Sequence, residues 1–409
     1  MQSSRYMLGI AASMGCVGLL YFLLLVAHMP FIITAVLIGV TLFFLFKWLR
    51  KLPFEEEERV GKFAFGVLLA GLVVLTNKSY YIAERNGTWD AWAIWNLHAK
   101  YLSEPEHWKN MFLNTKFAHP DYPLSLPATI AFFSRLVGGF NELVSFGLHF
   151  LITLCIPTVI FLVIRQRSII FAGLALFLIA TNEFYIMQGT YQLADTLLAF
   201  FLLCAIICIN HHEDDKRILI LSAFFLGCCM WTKNEGVVLA VIFTAFHLPQ
   251  LFTKGRLKYT AVGITLPLLT WLLFKIAYAP VNDLVDAQSK STLTLLFDES
   301  RYKLVYDYFR NNLQFFKNLQ WGVAIYALLC VWRRQYPDKQ IIMIFVCLLA
   351  YMMIYVVTPY NLDWHLHTSQ SRLMHQLMPA LTYLLALNFS GSTTSKFQAR
   401  FVSVGQRLR

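Results

Sequence analysis

Apolar residues along this chain form long windows that are separated by short polar segments. Most windows hold about 17 to 22 residues, which as a helix is close to the length that crosses a hydrocarbon core of about 30 Å. The pattern therefore predicts an all-α polytopic membrane protein with about 12 transmembrane helices. The predicted spans are 7–27, 31–46, 63–78, 143–164, 168–185, 196–210, 218–231, 236–252, 259–277, 320–332, 340–357 and 373–389.

The polar segments between these spans are mostly basic. Examples are KWLRK (47–51), RQR (165–167), KGRLK (254–258) and a basic tail at 390–409. Because cytoplasmic loops carry an excess of lysine and arginine, we predict that these segments and both termini are cytoplasmic. The formal net charge of +11 then follows from topology and needs no nucleic-acid partner. A multi-pass protein of the bacterial inner (cytoplasmic) membrane is the expected location.

The composition agrees with a single transmembrane domain over residues 1–409. Hydrophobic residues make up 58% of the chain and charged residues only 14%, far more apolar side chain than one soluble core can hide. All eight cysteines fall in apolar windows, where they act as small hydrophobes. We expect neither a disulfide framework nor a thiolate metal site.

Two connections are long enough to carry a site, and both are predicted to be extracytoplasmic. The first covers residues 79–142 and includes an apolar stretch at 123–138. Counting that stretch as a span would move the later basic loops outside, so a re-entrant or interfacial helix is preferred. The second connection, 278–319, contains YKLVYDYFRNNL. This sequence fits an amphipathic helix that covers a cavity, although a solvated connector is slightly preferred.

A tryptophan-rich stretch, NGTWDAWAIWNLHAKYL at 86–102, lies in the first long connection. Trp89, Trp92 and Trp95 recur at the spacing of a helix in the lipid headgroup region, where indole rings are half apolar and half wet. An aromatic belt explains the tryptophans but not Asp90. A carboxylate at this depth loses hydration, and ionisable groups there are functional candidates by default. Asp90 is therefore a candidate catalytic residue.

Three further segments place polar side chains on the same predicted face. HPDYP (119–123) contributes His119 and Asp121 on a backbone that prolines hold, although an ordinary turn is an equal alternative. Asp195 directly precedes the sixth span, and complementing the helix dipole is the alternative explanation for it. WTKNEG (231–236) packs Lys233 and Glu235 into a short turn, and a self-contained ion pair is the simpler explanation for that pair.

The segment before the last span, LDWHLHTSQSRLMHQLMP at 362–379, adds His365, His367 and Arg372. Arg372, placed in the first turn of that span, is suited to bind phosphate because a guanidinium stays charged and forms two parallel hydrogen bonds. The alternating histidines suggest a metal ion, but no third ligand accompanies them at a convincing spacing. We expect no metal and no cofactor. Neither a Walker loop nor a dinucleotide-binding glycine motif is present.

These motifs together resemble the GT-C membrane glycosyltransferases. The resemblance is strongest to the clan of protein O-mannosyltransferases and the aminoarabinose transferase that modifies lipid A, and it covers roughly residues 60–390. It rests on WDAWAIWNLHAKYL, HPDYPLSLP, YQLADTLLAFF, WTKNEG and WHLHTSQSRLMHQLMP in this order. The chain departs from the clan in its extra N-terminal hairpin (1–46), in WDAW where several relatives carry adjacent acids, and in lacking a large C-terminal soluble domain.

The resemblance implies transfer of a sugar from a polyprenyl-phosphate donor to a hydroxyl of a glycan, lipid or protein acceptor on the extracytoplasmic face. Asp90 matches the acid that serves as general base, and Asp195 matches a second catalytic acid. His119, Asp121, Lys233, Glu235, His365, His367 and Arg372 are then the substrate-binding candidates. A base for the incoming hydroxyl and a cation for the departing phosphate, Arg372 or Lys233, predict single displacement with inversion at the anomeric carbon.

Two other classes of membrane protein remain as alternatives. A transporter or lipid flippase is also polytopic and carries intramembrane charges, but such folds commonly show internal repeats and ionisable groups near the midplane. A polysaccharide ligase or polymerase also uses lipid-linked sugars, and outward-facing histidine and arginine residues suit it. Dependence on a late outer loop, rather than on the first one, is the feature that distinguishes a ligase.

Overall fold

The computed structural model of the protein describes residues 3–52, 60–113, 118–212, 215–252, 255–282, 292–312 and 319–391. Regular secondary structure within these ranges is helical, which confirms the predicted all-α class. The basic tail from residue 392 onward lies outside the described residues. So do positions 283–291 of the second long connection, with their acidic and basic side chains.

The α-helices are labelled here in chain order, and one π-helical turn, Ala91–Trp95, precedes α4. They are α1 (Ser3–Val26), α2 (Phe31–Leu49), α3 (Lys62–Ile82), α4 (Asn96–Leu102), α5 (Asn110–Leu113), α6 (Ser125–Leu136), α7 (Glu142–Ile164), α8 (Ile169–Ala180), α9 (Glu183–Thr190), α10 (Ala194–His212), α11 (Lys216–Thr232), α12 (Glu235–Phe252), α13 (Leu257–Ala277), α14 (Thr292–Leu296), α15 (Glu299–Asn311), α16 (Leu319–Trp332), α17 (Lys339–Val356) and α18 (Leu362–Phe389).

The chain is an integral membrane protein. Within the described residues, 7 helices are long and apolar enough to cross a membrane, and the bent pair α8 and α9 raises the number to 8. The seven are α1, α2, α3, α7, α12, α13 and α17. The remaining predicted spans correspond to shorter or more polar helices, so the expected count of twelve is not confirmed.

The predicted span 168–185 is not one helix. α8 ends at Ala180, and α9 begins at Glu183 after a bend of 62°. Asn182 causes the break, because its side-chain oxygen accepts a hydrogen bond from the backbone N–H of Tyr185 at 3.1 Å and thereby caps a new helix. The apolar pattern continues across the bend, which is why periodicity alone did not reveal it.

The last helix begins earlier than predicted. α18 starts at Leu362, capped by Asn361, whose side chain accepts from the N–H of Trp364 at 3.0 Å. The segment predicted to precede the last span is therefore helical, and Arg372 lies in the middle of α18 rather than in its first turn. Residues three and four apart on this helix share a face.

The N-terminal hairpin is unequal in its packing. In α1 61% of the span window is buried, whereas in α2 only 17% is. The Tyr21 hydroxyl donates to the Leu102 carbonyl at 2.6 Å, and the Thr129 hydroxyl lies 3.4 Å from the Met14 carbonyl. α1 is thus tied to α4 and α6, while α2 exposes most of its apolar surface.

Two helices occupy the long connections. α6 has 12 residues, a length of about 18 Å, too short to cross the membrane, and nine of its residues are buried. α15 is amphipathic and buries Val305 and Phe309. Its Arg301 donates to the Val356 and Thr358 carbonyls at 2.6 and 2.8 Å, just after α17. This part of the second connection is therefore a packed helix rather than the preferred solvated connector.

Candidate active site

The tryptophan-rich segment enters the bundle through a tight turn. Gly87 has a φ of +71°, and a Cβ there would lie 2.5 Å from the Cβ of Ala91. The following π-helical turn is a distortion that recurs at functional sites. Trp89 and Trp92 are both 56% exposed, but Trp95 is buried and stacks on Tyr122, with ring centroids 5.6 Å apart. Trp95 is therefore enclosed by the protein and does not share the exposure of Trp89 and Trp92.

Asp90, at the start of this turn, forms an ion pair with Arg372 of α18. An Nη1 atom of Arg372 donates to the Oδ2 atom of Asp90, although the two residues are 282 positions apart. Both side chains are largely but not fully buried, with 24% of Asp90 and 19% of Arg372 exposed. The Nε of Arg372 is buried and has no hydrogen-bond partner among the described residues. The guanidinium therefore keeps donor capacity beyond its pair with Asp90.

A second charged cluster lies one turn further along α18. Lys233 Nζ is 2.9 Å from Asp195 Oδ1 and 3.3 Å from Glu235 Oε1. Asp195 Oδ1 also accepts from Gln376 Nε2 at 2.6 Å, and Gln376 in turn accepts from the Tyr351 hydroxyl at 2.5 Å. Burial lowers the pKa of Lys233, but the two carboxylates outweigh it, and the pKa ends above its ordinary value. Lys233 is therefore a buried cation held between carboxylates.

The WTKNEG turn can be this short because of Gly236. A Cβ at that position would lie only 1.9 Å from the Cys229 carbonyl oxygen of α11. Thr232 ends α11, with its hydroxyl donating to the Cys228 carbonyl at 2.7 Å, and α12 begins at Glu235. The close return of the chain keeps Lys233 buried against α10.

Asp121 of HPDYP ties three segments together and is fully buried. Its Oδ2 atom accepts from Asn234 at 2.8 Å and from Asn282 at 2.6 Å. Lys275 Nζ lies 3.3 Å from the same carboxylate oxygen and donates to the Asp121 backbone carbonyl at 2.6 Å. These contacts join the first long connection to the WTKNEG turn and to the end of α13.

His119 belongs to an aromatic stack beside the charged cluster. It adopts a φ of +48°, and its ring lies 4.6 Å from that of Tyr122 at an interplanar angle of 15°. Tyr122 also lies 5.9 Å from Lys233 Nζ. The neighbouring His98 is buried, and this burial, together with His119, lowers the pKa of His98 to about 4.

The two histidines of α18 lie apart. His365 is partly buried, and its Nδ1 is 2.9 Å from the Thr358 hydroxyl, whereas His367 is exposed. Residues two apart on a helix do not face each other, which explains the separation. Within the described ranges, no group of three or more His, Cys, Asp and Glu side chains is arranged to hold a metal ion.

A cavity of about 800 Å³ adjoins the ion pair. Asp90, Arg372 and, from the same face of α18, Thr368 and Ser371 form part of its wall. The buried Lys233 and Asp195 do not line it. The structure therefore brings five predicted residues together but gives them two environments. Asp90 and Arg372 face open space, while Asp195 and Lys233 are buried together and Glu235, which is 19% exposed, contacts Lys233 at the edge of this cluster.

Three residues of this arrangement were not predicted from the sequence. Gln376 donates to Asp195 and accepts from Tyr351, and Tyr122 stacks on His119 and Trp95. Gln376 carried a signal, because it follows Arg372 by four positions and shares its helix face. Tyr122 lies within HPDYP, a motif that was singled out only for His119 and Asp121, and Tyr351 had no signal beyond ordinary aromatic composition.

Comparison with known proteins agrees with the motif resemblance. Residues 98–281 match the family model of dolichyl-phosphate-mannose-protein mannosyltransferases, which confirms the resemblance for that part of the chain. The matched segment includes Asp121, Asp195 and Lys233 but neither Asp90 nor Arg372. A search of curated proteins found no match.

One solved structure is similar in shape, the crystal structure of ArnT from Cupriavidus metallidurans bound to undecaprenyl phosphate. The alignment has 14% sequence identity and a TM-score of 0.48, and it covers 83% of this chain. It covers 63% of the ArnT chain, so this protein spans less than two thirds of its length.

Proposed function

We propose that this chain, whose residues 98–281 match the dolichyl-phosphate-mannose-protein mannosyltransferase family, is an integral membrane glycosyltransferase. It moves a sugar from a polyprenyl-phosphate donor to an acceptor hydroxyl. The observation that carries the proposal is the Asp90–Arg372 pair at the wall of the cavity, where a base and a phosphate-binding cation stand side by side.

The donor class is supported by the family match and by the guanidinium of Arg372 at the cavity wall. The family name describes enzymes that use mannose linked to dolichyl phosphate. A lipid-linked phosphate needs a cation at the edge of an apolar region, and Arg372 lines the cavity together with the apolar side chains Trp321, Met187 and Leu193. Lys233 is already held by two carboxylates, which favours Arg372 as the phosphate-binding residue.

In the proposed reaction, Asp90 takes the proton of the acceptor hydroxyl as the oxygen attacks the anomeric carbon. The bond from that carbon to the phosphate oxygen breaks, and the departing lipid phosphate is stabilised by Arg372. Asp90 contacts Arg372 in the free protein, so the incoming phosphate replaces Asp90 as partner of the guanidinium and releases the carboxylate. Single displacement gives a product with inverted anomeric configuration.

The buried cluster has a positioning role in this proposal. Gln376 links Asp195 to the helix that carries Arg372, one turn from the guanidinium. Asp195 and Lys233 therefore act through α18 rather than on the sugar.

We place the cavity on the extracytoplasmic face of a bacterial inner membrane, because α7 runs from the site region to the basic segment RQR, which the excess of positive charge assigns to the cytoplasm.

The proposal is tested by mass spectrometry of envelope glycans and lipids from cells that lack the protein. Complementation with the wild type is expected to restore one sugar modification, and complementation with Asp90→Asn is not. An amide cannot accept the proton, and loss of a general base costs about 10²- to 10⁴-fold in rate. Glu106→Gln makes the same change at an exposed acid of the same connection and serves as the matched control.

Normal glycans in cells that contain Asp90→Asn would exclude Asp90 as the base. Identical glycans and lipids with and without the protein would count against a glycosyltransferase and favour a transporter. A product that retains the donor's anomeric configuration would exclude single displacement.

A further inference from the structure

A second wall of the cavity is one face of the short helix α9. Glu183, Phe184, Met187, Gln188 and Tyr191 line the cavity, and their spacing of one, three or four residues is that of a single helix face. The face exists because of the bend at Asn182, which turns α9 away from the direction of α8 by 62°. The bend therefore brings this set of side chains to the cavity.

On this face of α9, Gln188 is a buried polar residue. Only 5% of it is exposed, and its Oε1 atom has no hydrogen-bond partner among the described residues. Its backbone is fixed, because the Thr196 hydroxyl donates to the Gln188 carbonyl at 3.2 Å. A buried polar atom without a partner is costly, so a carboxamide in this position at a cavity wall indicates that a ligand group completes it. The carboxamide can turn about its last bond and present either its oxygen or its nitrogen.

The wall formed by α18 supplies neutral polar groups next to the guanidinium. Thr368, Ser371 and Arg372 lie three and four residues apart and share one face. A molecule whose phosphate contacts Arg372 therefore meets hydroxyl groups beside it and the Gln188 carboxamide on α9. Neutral hydroxyls and amides are the partners that a sugar ring without a charge requires. The Asp90 carboxylate beside Arg372 disfavours a sugar that carries a carboxylate of its own.

We infer that α9 is the element that selects the donor sugar, and that the Gln188 carboxamide hydrogen bonds one hydroxyl of a neutral sugar whose lipid phosphate is held by Arg372. This inference rests on the proposed function. A site built to hydrogen bond a substrate hydroxyl rejects the analogue that lacks it, because its own buried polar group is then left unpaired. Selection is therefore expected to depend on one hydroxyl position rather than on the whole ring.

The test measures binding of short lipid phosphates to the purified full-length protein in nanodiscs. The probes are farnesyl phosphate, the same lipid carrying mannose, glucose, galactose or glucuronic acid, and the monodeoxy forms of the tightest-binding sugar. The wild type is expected to bind one neutral sugar lipid more tightly than farnesyl phosphate. One monodeoxy form should bind about 10- to 100-fold more weakly than its parent.

In Gln188→Met, an apolar replacement of similar size, the parent and that monodeoxy form should bind within about twofold of each other, because no unpaired amide remains. Unchanged affinity for farnesyl phosphate shows that the variant is folded. Gln188→Asn, which withdraws the amide by one methylene, provides a second variant and should also weaken the discrimination. Gln320→Met changes another, more exposed glutamine of the cavity, and this variant should keep most of the wild-type discrimination between the parent and the monodeoxy form.

Wild-type discrimination retained in both Gln188 variants would overturn the inference. So would a wild type that binds farnesyl phosphate but gains nothing from any sugar, or one that prefers glucuronic acid. In each of these cases the lipid-phosphate site of the proposed function stands. A wild type that binds neither farnesyl phosphate nor its sugar derivatives would instead reject the proposed function, and the inference with it.

Discussion

Two ion pairs, Asp90 with Arg372 and Asp195 with Lys233, meet α18 one helical turn apart. Only the first pair lines the cavity. The Asp90 and Arg372 side chains are 24% and 19% exposed, whereas Asp195 and Lys233 are 0% and 2% exposed. A partly exposed ion pair can exchange one partner for a ligand that enters the cavity, while removing one member of a fully buried pair leaves an uncompensated charge. In the proposed function the first pair carries the chemistry and the second has a positioning role, although both pairs consist of an aspartate and a basic residue.

The largest effect is expected when the buried cluster loses its cation. Lys233→Met leaves the fully buried Asp195 and the 19% exposed Glu235 without their shared partner, which costs about 3–5 kcal/mol of stability. The yield of monodisperse protein and its apparent melting temperature in detergent measure the loss. Lys100→Met, at an exposed lysine of α4, is the control. A Lys233→Met protein as stable as that control would show that the cluster does not hold the bundle together.

Changing the cation of the cavity pair should affect the donor more than the fold. Arg372→Lys keeps the charge but loses the planar fork that matches a phosphate, so the affinity for farnesyl phosphate should fall by about 10-fold. The melting temperature should fall much less than in Lys233→Met, because an accessible pair contributes about 0–1 kcal/mol. If Arg372→Lys destabilises the protein as strongly as Lys233→Met, the distinction between the two groups is wrong.

Asp121→Asn tests the contacts of the first long connection with Asn234, beside the buried cluster, and with Lys275 at the end of α13. Asparagine still accepts a hydrogen bond from Asn234, but the charge opposite Lys275 is lost, and a stability loss of about 1–3 kcal/mol is expected. The affinity for farnesyl phosphate should change little, because Asp121 is buried and does not line the cavity. A loss of binding without a loss of stability would instead make Asp121 a ligand-binding residue.

His367→Ala should have the smallest effect. The side chain is exposed on α18, and substitutions at such positions change stability by about 0.5 kcal/mol or less. Envelope glycans in complemented cells should match those of the wild type. Loss of the sugar modification in His367→Ala would instead support His367 as a substrate-binding residue, as the sequence suggested.

Much of the candidate chemistry could be predicted because it is local in the chain. Asp195 could be predicted because it lies at the start of an apolar helix. Lys233 and Glu235 could be predicted because they share a turn that is too short to separate them. Trp95, in contrast, recurs at the same spacing as Trp89 and Trp92, but it is buried and stacks on Tyr122, which the spacing did not reveal. His365 and His367 were expected together and lie apart, because α18 begins at Leu362 rather than near residue 373.

By itself the sequence determined that the chain is an all-helical membrane protein and which segments carry polar side chains, because apolar length and charge placement act within a single segment. Only the tertiary structure decided that Asp90 meets Arg372 across 282 positions, that Lys233 is enclosed, and that a bend at Asn182 turns α9 toward the cavity. Contacts between helices depend on side-chain packing and on single capping hydrogen bonds, and neither leaves a periodic signal in one chain.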